Sequence, residues 1–333
     1  AREDEISLTT TDLELGVRCI CPAAVKKAGA TTLPSRKLLD YVRLLPDADL
    51  SFKVGENHSA SITCGRSRTR LAGMSQENFP ELARMPAPLA QIPASLLGAL
   101  IARTVFAIST EGSRYTLNGA LVLLKPDSIT MVSTDGHRLA CIEAPYAFEG
   151  ISGQLRALIP KKAMTEIQKL AIDTGQGAVA FSSDENNLFF QFGRRLLTTR
   201  KLTGQFPDYE RVLPRENERT IEAGRDELAA AVRRVSQFAD ERSHAIRLII
   251  AGGELKLAAS GSESGESEES LPVEAPGSDM QVGFNAQYLL DFLEAVSSER
   301  VHLDLKDEQS AGQLRPAGDG DYNYRYVIMP MRI

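Results

Sequence analysis

One pattern returns at a fixed interval along this chain, and it limits the fold more than any other feature. Leu33-Pro34 leads into Leu38-Leu39-Asp40-Tyr41, Ile159-Pro160 into Met164-Thr165-Glu166-Ile167, and Phe284-Asn285 into Leu289-Leu290-Asp291-Phe292. Pro34 and Pro160 lie 126 positions apart, and Asn285 follows 125 later. Phe79-Pro80 returns as Phe206-Pro207 after 127 positions, and Thr11-Asp12 as Thr134-Asp135 after 123. A segment with apolar residues at helical spacing, Ser95 to Ala107, is echoed by Asp226 to Ala239. Self-similarity at a common period marks a repeated structural unit, here of about 125 residues.

Between the helical segments run short alternating stretches that read as strands: Glu5 to Val17, Asp49 to Val54, Ala60 to Thr63, Ser113 to Leu124, Ala178 to Ser182, Leu188 to Phe192 and Tyr322 to Ile328. Two helices against many antiparallel strands define an α+β unit. The expectation is three such domains, at 1–87, 88–214 and 215–333, joined by the proline-bearing Arg84-Met85-Pro86-Ala87-Pro88 and the polar Pro214-Arg215-Glu216-Asn217-Glu218. The polar run Ser260 to Ser270 reads as a solvated loop. The period also leaves the first unit short by roughly 39 residues, including its copy of the Ser95 helix, and no Met opens the chain. The sequence therefore reads as amino-terminally truncated.

A chain of 333 residues is long enough for several cores, and 43% hydrophobic with 25% charged residues is ordinary for a globular protein. No apolar run approaches the roughly 18 to 20 residues of a membrane span and no leader is evident, so a cytoplasmic protein is expected. Cys19, Cys21, Cys64 and Cys141 are too scattered for a disulfide framework and lack zinc spacing, so structural thiols and no cofactor or metal are expected.

A net charge of −6 argues against nucleic acid only if charge is spread evenly. It is not. The helix after Pro34 carries Arg36, Lys37 and Arg43 opposite Leu38, Leu39, Val42 and Leu45, which should be its buried side. The helix after Pro160 carries Lys161, Lys162 and Lys169 opposite Ala163, Met164, Ile167 and Leu170. Arg103 and Arg233-Arg234 mark the other helices, and loops add Arg66, Arg68, Arg70, Arg114-Tyr115 and Arg194-Arg195. Basic faces that recur suit phosphate contact without base reading. No zinc-finger spacing, no recognition-helix motif, no aromatic ladder and no Trp suggest another mode.

The densest run of chemistry-bearing residues is Ser133-Thr134-Asp135-Gly136-His137-Arg138-Leu139. Alternation on a strand could set Ser133, Asp135 and His137 on one side, as a hydrolytic or metal site would need. No second His or carboxylate motif accompanies them, and His58, His244 and His302 stand in unrelated contexts. A binding surface is the better reading. The apolar ending Val327-Ile328-Met329-Pro330-Met331 is another candidate, since Met adapts to different partners and Pro offers no donor to continue a sheet.

These stretches, with Thr10-Thr11-Asp12-Leu13-Glu14, Arg114-Tyr115 with Leu117-Asn118-Gly119, Gln205-Phe206-Pro207-Asp208-Tyr209 with Arg211-Val212-Leu213-Pro214, Gly283-Phe284-Asn285 and Tyr326 to Ile333, resemble the bacterial DNA sliding clamp, the beta subunit of DNA polymerase III. The resemblance covers essentially the whole chain. It implies three DNA-clamp domains forming half of a ring, a head-to-tail homodimer closed around duplex DNA, and processivity for the replicative polymerase without catalysis. Helices line the hole, and with the basic helix faces and loops the expected DNA contacts are Arg36, Arg43, Arg66, Arg103, Arg114, Tyr115, Lys161, Lys162, Lys169, Arg194 and Arg195. It implies a subunit contact through Lys37, Tyr41, Thr69 and Leu71 on one side and Gln237 and Phe238 on the other, with acidic residues around Glu266 to Glu269 nearby. Thr69 departs from the aromatic expected there.

The resemblance further implies a groove between the second and third domains. Leu117, Thr134, Gly136, His137, Arg138, Leu139, Pro207, Arg211, Val212, Asn285, Tyr288, Val327, Met329, Pro330, Met331 and Arg332 would receive short peptides of the polymerase, the clamp loader and other partners. Such peptides carry a glutamine and one or two bulky apolar side chains. The alternative is a peptide-binding scaffold that does not close around DNA in truncated form.

Overall fold

A computed structural model describes residues 1–214, 219–261, 265–274, 278–318 and 320–332. They form two compact units, one of residues 1–88 with 179–200 and one of 89–178 with 201–333.

In the first unit, Glu5–Thr11 and Leu15–Pro22 make an antiparallel hairpin that continues through Arg195–Arg200, Asn187–Phe192 and Ala178–Ser183. Glu5 to Val17 is thus two strands and not one, because a tight turn at Thr11–Leu15 interrupts the alternation. The first unit also holds a three-stranded sheet, Leu50–Val54, Ala60–Cys64 and Ser67–Leu71, and helix α1, Ser35–Val42. The expected burial of Leu38, Leu39, Val42 and Leu45 does not occur. No residue of α1 is buried, and Leu39 is 48% exposed.

The second unit holds an eight-stranded antiparallel sheet in the order Leu155–Pro160, Gly119–Lys125, Ser128–Thr134, Arg138–Pro145, Asn323–Ile328, Gly312–Pro316, Arg300–Leu305, Arg219–Gly224. Its central pairing sets Val327 against Leu139 and Tyr326 against Ala140, so the last strand of the chain lies beside the Arg138 strand. A four-stranded sheet runs Gly265–Pro272, Glu254–Gly261, Ala245–Ala251, Met280–Asn285. The expected loop at 260–270 is therefore mostly strand: Gly265 to Ser270 pairs with Lys256 to Gly261, and 262–264 lie outside the described residues. Polarity misled because this is a sheet edge, where charged side chains face solvent on an extended backbone.

Helix α2, Ala94–Ala102, packs on α3, Lys161–Thr174; α4, Arg225–Ser236, packs on α5, Ala286–Ala295. The Ser95 segment ends its α-helix at Ala102 and finishes in a 3₁₀ turn, Val105–Ala107, while the Asp226 segment stops at Ser236. Helix α3 buries Ala163, Met164, Ile167 and Ala171, an i, i+1, i+4, i+8 stripe, and ends at Gly175 with φ +62.

The periodic mark has a structural meaning. Pro34, Pro160 and Asn285 are the N-caps of α1, α3 and α5. Proline enters with a preset φ near −60°, whereas the Asn285 side chain accepts hydrogen bonds from the Gln287 and Tyr288 amides.

Candidate functional site: a groove beside the carboxyl-terminal strand

The Thr134–Arg138 turn joins two strands and is fixed by its own side chains. The Thr134 hydroxyl donates to the Arg138 carbonyl at 2.6 Å and accepts from the Gly136 amide at 3.0 Å. Asp135 Oδ1 accepts from the His137 and Arg138 amides at 3.0 and 3.1 Å. Gly136 takes φ +91, a left-handed conformation that glycine adopts without a Cβ penalty. Arg114 Nη1 donates to the Asp135 carbonyl at 2.5 Å, and a Cβ on Gly136 would stand 2.5 Å from that nitrogen.

The turn forms one wall of a groove of about 140 Å3 within the second unit. Thr134, Gly136, His137, Arg138 and Leu139 face Leu117, the segment Pro207, Tyr209 and Val212, and the terminal Val327 and Met329. Its floor is the rim of a packed cluster in which Leu121, Leu123, Val132, Leu139, Cys141, Leu158, Phe206 and Val327 are buried. The tail is tied at two points: Met329 N donates to the His137 carbonyl at 2.9 Å and Met331 N to the Gly283 carbonyl at 2.8 Å. The Met329 side chain remains 46% exposed.

Most of the expected groove residues meet here, but six do not line it. Arg211 extends into solvent and pairs with Asp208 at 2.7 Å. Asn285 caps α5, and the Tyr288 ring lies under the Arg138 guanidinium, 4.3 Å from its carbon. Pro330, Met331 and Arg332 are not among its lining residues, the Met331 amide bonding the Gly283 carbonyl instead. Tyr209 was missed, although it lies two residues from Pro207. Burial, with Cys141 and Glu210 nearby, pushes its hydroxyl up to about 12, so it keeps its proton as a donor at the groove rim. Burial pushes the Cys141 thiol beneath it up to about 12 as well.

The arrangement cannot perform nucleophilic catalysis at Ser133. Its hydroxyl is fully buried and donates to the Thr104 carbonyl at 2.5 Å, while His137 points out on an exposed turn. Asp135 is consumed by the turn and by Arg138.

The expected DNA contacts divide. Arg36, Arg43, Arg66 and Arg194 are exposed on the first unit, where Arg195 is half-buried on a strand. Tyr115, Lys162 and Lys169 are exposed on the second. Three others are engaged inside the second unit. Arg103 donates to the Tyr322 hydroxyl at 2.8 Å and to the Ala99 carbonyl. Arg114 braces the Gly136 turn and pairs with Glu111. Lys161 Nζ donates to the Ile108 carbonyl at 3.3 Å, and burial together with the nearby Arg138 charge lowers its pKa.

Of the expected subunit-contact residues, Lys37 is exposed and Tyr41 half-buried on α1, the Tyr41 hydroxyl lacking a partner among the described residues. Thr69 and Leu71 lie on the edge strand Ser67–Leu71, which also carries Arg68 and Arg70. On the second unit, Gln237 and Phe238 follow α4, near an edge strand bearing Glu266, Glu268 and Glu269. Arg234 pairs with Glu269 and Arg233 with Glu294, so these two arginines face carboxylates.

Repeated α+β units with exposed basic side chains, and an apolar groove preorganised beside the carboxyl-terminal strand, are the architecture of the clamp class. Residues 1–83, 91–208 and 210–332 match, in turn, the N-terminal, central and C-terminal domains of the DNA polymerase III beta subunit. The beta sliding clamp of Pseudomonas putida is 36% identical over 337 residues, covering 99% of this chain and 89% of that protein. That of Escherichia coli K12 is 33% identical, covering 98% and 89%. A crystal structure of the Pseudomonas aeruginosa sliding clamp bound to griselimycin superposes with a TM-score of 0.92 at 33% identity, covering all of this chain and 90% of that one. The chain belongs to the DNA polymerase III beta subunit family, the bacterial sliding clamps. It acts in DNA replication as a homodimeric processivity clamp that encircles duplex DNA and binds the replicative polymerase and other partners through short peptides.

Proposed function

We propose that the groove walled by Gly136, His137, Leu139, Val212, Val327 and Met329 is the site where partner peptides insert. The carrying observation is that apolar side chains from four separate segments converge on a groove whose turn and tail are already hydrogen-bonded into place. Binding to a preformed apolar groove costs little ordering, and Tyr209 and His137 supply polar ends to orient a peptide. Arg211, Asn285, Tyr288, Pro330, Met331 and Arg332 border it.

We assign duplex contact to Arg36, Arg43, Arg66, Arg194, Arg195, Tyr115, Lys162 and Lys169, with Arg103, Arg114 and Lys161 in supporting positions. Their spread over several elements suits sequence-independent phosphate contact. The subunit contact is assigned to the Ser67–Leu71 edge, with Lys37 and Tyr41, meeting the acidic Gly265–Pro272 edge with Gln237 and Phe238. Opposite charge on two unpaired edges supports head-to-tail strand pairing. Three domains at 1–87, 88–214 and 215–333, absence of catalysis and a cytoplasmic setting complete the reading. Loading onto nicked circular and linear duplex tests it: retention on circles and loss from linear ends is expected, and equal loss from both would refute encirclement.

A further inference from the structure

We propose that Asp291, on α5, is a positioning residue for the groove: it holds Arg138, and through Arg138 the Thr134–Arg138 turn, in the conformation that receives a peptide. The inference rests on the groove assignment above.

Arg138 lines the groove by its backbone and stem, but its side chain is only 10% exposed. The guanidinium faces inward and four of its five N–H groups are engaged. Nε donates to Asp135 Oδ2 at 3.0 Å, Nη2 to the Phe106 carbonyl at 2.8 Å, and Nη1 to the Tyr326 hydroxyl at 3.3 Å and to Asp291. Arg138 therefore has little left to offer a peptide.

The same residue closes the turn through its backbone, its amide donating to Asp135 and its carbonyl accepting from Thr134. Asp135 thus holds the Arg138 amide with one oxygen and the guanidinium with the other. Any rotation of the guanidinium pulls on the carboxylate that shapes the turn.

Asp291 fixes that guanidinium from outside the turn. It stands 153 residues away in sequence, and its second oxygen accepts from Gln287 Nε2 at 2.7 Å. Tyr288, three residues earlier on α5, lays its ring against the guanidinium. One helix therefore grips Arg138 by a charge and a π-face, and neither group lines the groove. Without Asp291 the guanidinium keeps one carboxylate, and the turn can follow Arg138 into other arrangements. A site competent for only part of the time binds more weakly by that fraction.

The test uses the full chain, a labelled pentapeptide with one glutamine and two leucines, and stopped-flow binding. Asp291→Asn is expected to weaken binding roughly five- to thirty-fold. The loss should lie in the association rate, with dissociation unchanged, because the bound state is intact and only the population able to bind has fallen. A direct contact would instead raise dissociation. Combining Asp291→Asn with Arg138→Met should give no further loss beyond Arg138→Met alone. Gln287→Ala, on the exposed helix surface, keeps the idea testable if Asp291→Asn does not fold; it should slow association about five-fold or less. Met329→Ala is the reference. If it weakens binding while Asp291→Asn and Gln287→Ala leave association unchanged, the positioning role is refuted and the groove stands. If Met329→Ala also leaves binding unchanged, the groove assignment falls and the positioning role with it.

Discussion

Leu13 and Gly136 occupy the same left-handed position in two copies of one turn. Their φ angles are +78 and +91. In both copies the threonine hydroxyl donates to a carbonyl four residues on, Thr11 to Leu15 at 3.0 Å and Thr134 to Arg138 at 2.6 Å. In both, the aspartate accepts two amides: Asp12 from Glu14 and Leu15, Asp135 from His137 and Arg138. The Thr-Asp pair is the part of the repeat that makes the turn.

A leucine at that φ carries a steric cost of about 1 to 2 kcal/mol that glycine avoids, partly offset by the extra freedom glycine has when unfolded. Leu13→Gly is therefore expected to raise stability by about 0.5 to 1 kcal/mol. Gly136→Ala should lower it by about 1 kcal/mol or more, since a Cβ also meets Arg114. Urea unfolding of both variants checks the opposite signs.

Met329 is 46% exposed where it lines the groove, and its amide is committed to the His137 carbonyl. Met329→Ala should weaken peptide binding about ten-fold, near 1.4 kcal/mol, with little change in melting temperature. Deleting the tail from Met329 onward should remove binding and lower the melting temperature as well, because the bonds to His137 and Gly283 go with it. Calorimetry and peptide titration on the two variants separate these effects.

Asp304 is buried in the sheet and accepts from Arg315 Nε at 2.8 Å, the Thr220 hydroxyl at 2.7 Å and Gln313 Nε2 at 3.1 Å. Burial pushes its pKa up, but these donors together outweigh it and the carboxyl ends below its ordinary 3.8. The folded state then binds fewer protons than the unfolded one, so the contribution is present above pH 3.8 and lost as pH falls through the depressed value. Asp304→Asn should be less stable at neutral pH and show a shallower loss of stability on acidification from pH 4 to pH 2, read by circular dichroism.

Arg103 and Lys162 should behave differently toward DNA. Lys162 is exposed on α3, whereas the Arg103 guanidinium lies on the Tyr322 ring and bonds its hydroxyl. Lys162→Ala is expected to weaken duplex binding and reduce the salt slope by about 0.9, the release of one phosphate contact. Arg103→Ala should leave the slope unchanged and lower the melting temperature. Binding of a short duplex across a salt series decides both.

Much of this architecture was legible in one dimension. A repeat near 125 residues marked the helix N-caps at Pro34, Pro160 and Asn285, since proline's preset φ and asparagine's acceptor oxygen act locally, wherever the helix later packs. The turns at Thr11-Asp12 and Thr134-Asp135 are also built locally, by threonine and aspartate bonds that span at most four residues, although the alternation of Glu5 to Val17 hid the first of them. What the chain did not disclose is which charges would turn inward. Lys161, Arg103 and Arg114 read like Lys162 in a helical or loop pattern, yet each is turned inward onto a carbonyl or hydroxyl supplied from elsewhere in the fold. The Glu266 to Glu269 run read as a loop because polarity does not distinguish an edge strand from a solvated turn. The hold of Asp291 on Arg138 lay beyond any local signal, with 153 residues between them. Local sequence determined caps, turns and period, because those forces act over one turn of chain. The tertiary structure decided which side chains bind outward and which only hold others in place, because that depends on partners brought together by folding.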